Sequence, residues 1–283
     1  MSNRPITSRE YKVMLNTDRF KNRTKGSGEF MALVAALIEE QGGEASVEFE
    51  KKKRQVWYLD TPAFALRQNG FVLRQRQEME AEKKFKLTLK YRHSDRYLAA
   101  NAKVSVSAEA EDKHMEDEGD IETKFEEDII RSSVSKFSHS TSIRTVDLPE
   151  LASLADAMAI FPGLEAVPNP DNTPLVKVNG FAAHEIKLES GKIDFGEKPK
   201  VKPCLSFWYL SDEQNGYPLV AEFSFDYEVL DDERKRLKKN PDLLGNFPMP
   251  VVNKANGFFK TLQGHVKWLD LEGSTKTASA FSI

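Results

Sequence analysis

The sequence predicts an α+β domain built on a closed antiparallel β-barrel with helices packed outside it. Two stretches, Phe71–Glu78 and residues 84–92, alternate charged with apolar side chains, the period-two signature of strands. Further strand-like stretches carry acids at the same alternation. Amphipathic helical stretches elsewhere need an apolar sheet face to cover. A closed sheet satisfies all of these, with charges of both signs in its lumen and apolar side chains outside.

In chain order, residues 10–15 read as an opening strand. Phe30, Leu33, Val34, Leu37 and Ile38 recur at helical spacing and predict a helix over 29–40, ended by Gly42 and Gly43. Residues 55–60 read as a strand, Thr61 and Pro62 open a short helical turn through Leu66, and Asn69-Gly70 makes a tight turn. After the two alternating strands, the acid-rich stretch 105–122 reads as a solvated loop or frayed strand end, and 124–130 as a short strand. Leu151, Leu154, Ala155, Met158 and Ala159 predict an amphipathic helix over 149–161. Pro162, Pro168, Pro170 and Pro174 interrupt regular structure before strands at 176–188, 205–210 and 219–228. A charged helix over 231–238 and an amphipathic one over 255–269 follow. Residues 1–271 form one domain in this reading, and 272–283 a flexible tail.

Composition narrows the function classes. A net charge of −3 lacks the electrostatic footprint of a nucleic-acid binder, so any anion site is local. No apolar run approaches the length that spans a bilayer, and the first residues lack the apolar core of an export signal, so the expected location is the cytoplasm, with no membrane partner. Cys204 is the single cysteine, which excludes an internal disulfide and any multi-cysteine metal site.

Strand alternation places Arg74, Arg76 and Glu78 on one face and Leu73 on the other. In the next strand Lys84, Lys86, Thr88 and Lys90 share a face, opposite Phe85, Leu87 and Leu89. Cations this close on neighbouring strands repel unless counter-charges or a bound anion offset them. Lys124, Glu126 and Asp128 alternate in a third strand, and Glu222, Ser224, Asp226 and Glu228 in a fourth. A barrel gathering these faces holds cations for phosphate oxygens and carboxylates for a divalent metal.

The run Tyr58-Leu59-Asp60-Thr61-Pro62, then Leu66, Gly70, Leu73-Arg74-Gln75-Arg76 and Leu87-Thr88-Leu89-Lys90 resembles the central signature of the CYTH superfamily, the triphosphate tunnel metalloenzymes. The resemblance implies an eight-stranded tunnel. It also implies an opening strand in which Glu10 would bind metal and Lys12 phosphate, where Ser8 replaces a first acid. It aligns Glu222 with a late metal-binding acid and Ser224 with a second acid that is missing, Asp226 lying on the same face. Lys187 stands in for a family arginine on the strand after the middle helix, while His184 is read as a strand histidine without chemistry.

The phosphate-binding set is therefore Lys12, Arg74, Arg76, Lys86, Lys90 and Lys187. The metal-binding set is Glu10, Glu222, Glu126, Asp128 and Asp226, for Mg²⁺ or Mn²⁺. The chemistry implied by the resemblance is metal-dependent hydrolysis of inorganic triphosphate, thiamine triphosphate or a nucleoside triphosphate. The thinned acids motivate an alternative, a non-catalytic polyphosphate- or nucleotide-binding module. ATP cyclisation, as in class IV adenylyl cyclases, is a third reading.

Overall fold

The computed structural model describes residues 4–46, 48–82, 84–114, 117, 119–170, 172–189, 191–211, 216–240, 247–273 and 275–282. The chain runs β1 (Ser8–Met14), α1 (Arg23–Glu40), β2 (Glu44–Ser46), β3 (Glu50–Asp60), α2 (Ala65–Gln68), β4 (Phe71–Glu78), β5 (Phe85–His93), α3 (Arg96–Asn101) and α4 (Ala108–His114). It continues through β6 (Ile121–Ile130), β7 (Val134–Thr145), α5 (Leu154–Ile160), β8 (Val176–Lys177), β9 (Ala183–Glu189), β10 (Lys192–Asp194), β11 (Lys202–Tyr209) and β12 (Val220–Glu228). The last elements are α6 (Asp231–Lys239), α7 (Met249–Gln263) and α8 (Lys276–Ala280).

Nine strands close the barrel in the order β3-β4-β5-β7-β6-β1-β12-β11-β9, and β9 pairs back onto β3. This corrects the expected eight antiparallel strands in two linked ways. The ninth strand is β7, which sequence periodicity does not reveal. An odd number of strands cannot alternate direction around a closed ring, so one neighbouring pair must run parallel. That pair is β1 with β6, while every other barrel pair is antiparallel. The strand β7 is hidden because Ser138, Ser140 and Ser142 alternate with His139 and Thr141, a polar run with no apolar period, although all five are buried.

Other expectations change at their ends. The acid-rich stretch contains α4 over Ala108–His114 rather than a plain loop; of its densest run, residues 116 and 118 lie outside the described residues. The strand expected over 176–188 is broken, because Asn179 and Gly180 take φ of 54° and 63° and turn the chain between β8 and β9. The last long helix starts earlier than expected, at Met249, and stops at Gln263. Residues 275–282 are no loose tail: Thr275 caps α8 by accepting from the Ala278 amide, and Ala280 is buried.

The two largest apolar clusters lie outside the barrel. Phe30 and Val34 of α1 and Phe258 and Phe259 of α7 cover Tyr11, Phe223 and Phe225 on β1 and β12, where Tyr11 stacks on Phe225 at 4.6 Å. On the opposite side Leu154 and Ala157 of α5 cover Leu73, Leu87, Leu89 and Ile143. Because the outward residues find apolar cover there, the alternate residues of each strand are left to fill the lumen. Among the described residues no helix is long and apolar enough to cross a membrane.

Candidate anion-binding lumen

The lumen encloses a cavity of about 290 Å³, at the small end for a ligand site and suited to a compact anion. Lys12, Arg74, Arg76, Lys86, Lys90 and Lys187 all line it, as do Glu10, Glu126, Glu222 and Asp226. Asp128 does not; it is buried behind Lys12 and Arg92. Lys84 also leaves the predicted face, since it precedes β5 and is exposed. His184 pairs with Tyr209 and Gln55 on the alternation opposite to Lys187, away from the lumen.

One wall of the tunnel is neutralised internally. Lys12 Nζ lies 2.7 Å from Glu10 Oε2 and 2.8 Å from Asp128 Oδ1, and Arg92 Nη2 reaches Asp128 Oδ2 at 2.9 Å. Burial opposes the charge on Lys12, but Asp128 and Glu10 outweigh it and hold the ammonium above its ordinary range. Burial works against the Asp128 carboxylate likewise, and Lys12 and Arg92 overcome it, so its pKa falls. Lys90 Nζ sits 3.0 Å from Glu126 Oε2, and Ser8 Oγ donates to Glu126 Oε1 at 3.1 Å. Arg54 pairs with Glu185, which also accepts from Trp208 Nε1 at 3.0 Å and from Lys276 Nζ at 3.0 Å.

The other wall carries a surplus of positive charge. Arg76 faces Lys86 directly across β4 and β5, and Lys86 faces Arg144 across β5 and β7. Arg74 and Arg76 have no ion-pair partner among the described residues, and both Nε atoms are buried without a hydrogen bond. Burial first, then Arg74 and Arg54, push the Arg76 pKa well below its ordinary value. Burial, Arg76 and Arg144 lower that of Lys86 to about 7; its nearest acid, Glu122, is 3.8 Å away. Buried cations without counter-ions are costly, and a polyanion would remove that cost.

No protein-family profile and no curated protein matches the sequence. Among solved structures, a candidate adenylyl cyclase from Hippeastrum, described as revealing a dominant triphosphatase activity, is 11% identical with a TM-score of 0.47, over 98% of this chain and 96% of that one. A candidate adenylate cyclase from Bacillus halodurans is 16% identical with a TM-score of 0.34, over 89% and 98%. A third, from Vibrio parahaemolyticus, is 14% identical with a TM-score of 0.31, over 90% and 89%. These are likenesses of arrangement, and what each side chain does rests on its own contacts.

The resemblance in the sequence implies a divalent metal, and the donors present fit only a lean version of such a site. Among the described residues no group of three ligating side chains converges. Glu10, Glu126, Asp128 and Glu222 already hold cationic partners of the protein's own. Asp226 has no ion pair among the described residues and stands opposite Glu10 across β12 and β1. Burial, then Glu10, raise its pKa to about 7. Glu222 lies four residues along β12 from Asp226, roughly 13 Å at the rise of a strand, too far to share one ion. Asp226, with the opposing Glu10 shared with Lys12 at 2.7 Å, offers the one facing carboxylate pair for an ion whose remaining ligands are phosphate oxygens and water, the usual habit of Mg²⁺.

Sequence reasoning missed Arg54, Arg92, Glu185 and Lys276. Arg92 continues the alternation of Lys86 and Lys90, and Glu185 that of Lys187, so both were legible. Arg54 sat in a Lys-Lys-Lys-Arg run that looks like a solvated charge cluster. Lys276 carried no local signal. Asp60, within the resembling run, proves structural: Oδ1 accepts from the Thr61 and Leu66 amides at 2.7 and 2.8 Å, and Oδ2 from the Arg67 amide at 3.0 Å.

Proposed function

We propose that the lumen binds the phosphate chain of a triphosphate-containing anion and hydrolyses it with the help of one Mg²⁺ or Mn²⁺ ion. The observation that carries this reading is the surplus of positive charge on the wall of Arg74, Arg76 and Lys86, where among the described residues only Glu122, 3.8 Å from Lys86, comes within ion-pair distance. The two guanidinium groups offer planar forks that match phosphate oxygens, and Lys86 adds a point charge beside them. Lys12 and Lys90, already paired with carboxylates, orient those acids more than they bind anion. An ion held by Glu10 and Asp226 would supply Lewis-acid polarisation of the phosphoryl group. The chain's own part is to align the phosphates and neutralise their charge, which is most of what phosphoryl transfer requires.

A second reading is favoured by one observation, the neutralisation of Glu126, Asp128 and Glu222 by the protein's own cations. On that reading the lumen is a polyphosphate- or nucleotide-binding module without turnover. The deciding experiment measures phosphate release from inorganic triphosphate, thiamine triphosphate and ATP with and without Mg²⁺ or Mn²⁺, alongside thermal-shift binding on the same samples. Metal-dependent release supports the hydrolase and ranks its substrates. Stabilisation without release supports the module, and neither effect overturns both.

A further inference from the structure

Thr275, Lys276 and Thr277 line the lumen. Helix α8 is fixed by Phe281, which packs on Tyr58 and Phe64 at centroid distances of 6.0 and 5.6 Å and lies under the Arg67 guanidinium at 4.3 Å. Asn179 Nδ2 donates to the Ala280 carbonyl at 3.1 Å. These anchors place Lys276 Nζ inside the lumen, 3.0 Å from Glu185 Oε1, 3.0 Å from Glu222 Oε1 and 2.6 Å from Ser206 Oγ. The carboxylates of Glu185 and Glu222 are 1% and 5% exposed.

Two buried carboxylates and a hydroxyl converging on one point form an all-oxygen donor set of the kind that a hard divalent cation takes. Here an ammonium fills it. Arg54, itself shared with Glu78 at 3.4 Å, pairs with Glu185, and Lys276 bridges Glu185 and Glu222. Glu222 has no other ion pair among the described residues, so without Lys276 it would be a buried, uncompensated carboxylate.

We infer that Lys276 is a resident cation, a tethered ammonium that occupies the place between Glu185 and Glu222 that a divalent metal ion would otherwise fill. Glu222 is therefore no metal ligand in the intact chain, and this end of the lumen takes up no ion from solution. The inference is independent of the triphosphate reading, since it concerns the protein with metal alone.

The test titrates the full-length chain with Mn²⁺ alone, following bound ion by electron paramagnetic resonance and stability by thermal melting. Lys276→Met is expected to bind one more Mn²⁺ per chain than the wild type, and Mn²⁺ should raise its melting temperature more than that of the wild type. Adding Glu222→Gln to that variant should abolish the gain. Equal Mn²⁺ uptake by wild type and Lys276→Met would overturn the inference. Should Lys276→Met fail to fold, Glu222→Gln in the otherwise intact chain decides: unchanged Mn²⁺ stoichiometry and affinity support the resident cation, and a tenfold or greater loss of Mn²⁺ affinity refutes it.

Discussion

Arg76 and Lys86 occupy directly opposed positions on β4 and β5, both facing the lumen. Two half-buried cations in register is an arrangement that a folded chain tolerates only at a cost, and that cost would make the lumen responsive to anions and to pH.

The Lys86 pKa, about 7 in the folded chain, lies below its value of 10.5 in the unfolded one. Between those values the unfolded chain holds more protons. The unfavourable contribution of Lys86 is thus full below pH 7 and lifts as pH rises toward 10.5. A bound polyanion favours the charged form, so above pH 7 binding must take up a proton. Triphosphate affinity is expected to weaken between pH 7 and 9 by up to about tenfold per pH unit from this group. Lys86→Arg, charged throughout, should show a flatter profile in calorimetric titrations. Parallel profiles for the two proteins would remove Lys86 from the site.

Arg76→Met separates binding from stability. Losing a charge-assisted contact of about 2–3 kcal/mol should weaken triphosphate binding roughly 30- to 150-fold. The same substitution relieves repulsion from Arg74 and Arg54, so the ligand-free melting temperature should hold or rise. A large fall in ligand-free stability would mean that Arg76 has a structural anion or acid partner instead.

Asp226 behaves as the acidic counterpart. Its folded pKa of about 7 exceeds the ordinary 3.8. The folded chain then holds more protons between those values, and the destabilising effect grows from pH 4 and is complete above pH 7. Asp226→Asn should match the wild type near pH 4 and exceed it at pH 8 by about 1–3 kcal/mol in urea denaturation. It should also lower Mn²⁺-dependent phosphate release, the reaction assigned to the Glu10 and Asp226 pair. Full metal-dependent activity in this variant would move the ion elsewhere.

Asp60→Ala should act on the fold alone. Three backbone amides lose the acceptor that closes the turn into α2, a loss of about 2–4 kcal/mol in chemical denaturation. Asp60 does not line the cavity, so triphosphate affinity of the folded fraction should be unchanged. A change in affinity would indicate that this turn positions Arg74.

Much of the barrel was legible because its strands obey a strict division of labour. In β4 and β5 the alternation of Arg74, Arg76, Lys86 and Lys90 with Leu73, Leu87 and Leu89 reads directly as lumen and outer face. Where that division lapses, legibility lapses too. The strand β7 puts Ser138, Ser140 and Ser142 into the lumen and polar His139 and Thr141 outside, so neither face has a signature. Its absence from the reading also concealed the parallel β1 and β6 pair.

The sequence by itself determined which residues share a face, because side-chain alternation along a strand is a local property of the backbone. It therefore placed the cations of one wall and the acids of others in a common lumen. Only the tertiary structure decided which charges remain unmatched. Neutralisation depends on distances between strands far apart in sequence, as Lys12 with Asp128, and on a helix at the end of the chain that sets Lys276 between Glu185 and Glu222. No local pattern encodes those distances, so the surplus of positive charge around Arg74, Arg76 and Lys86 emerges only once the cross-strand pairs of the other lumen cations are in place.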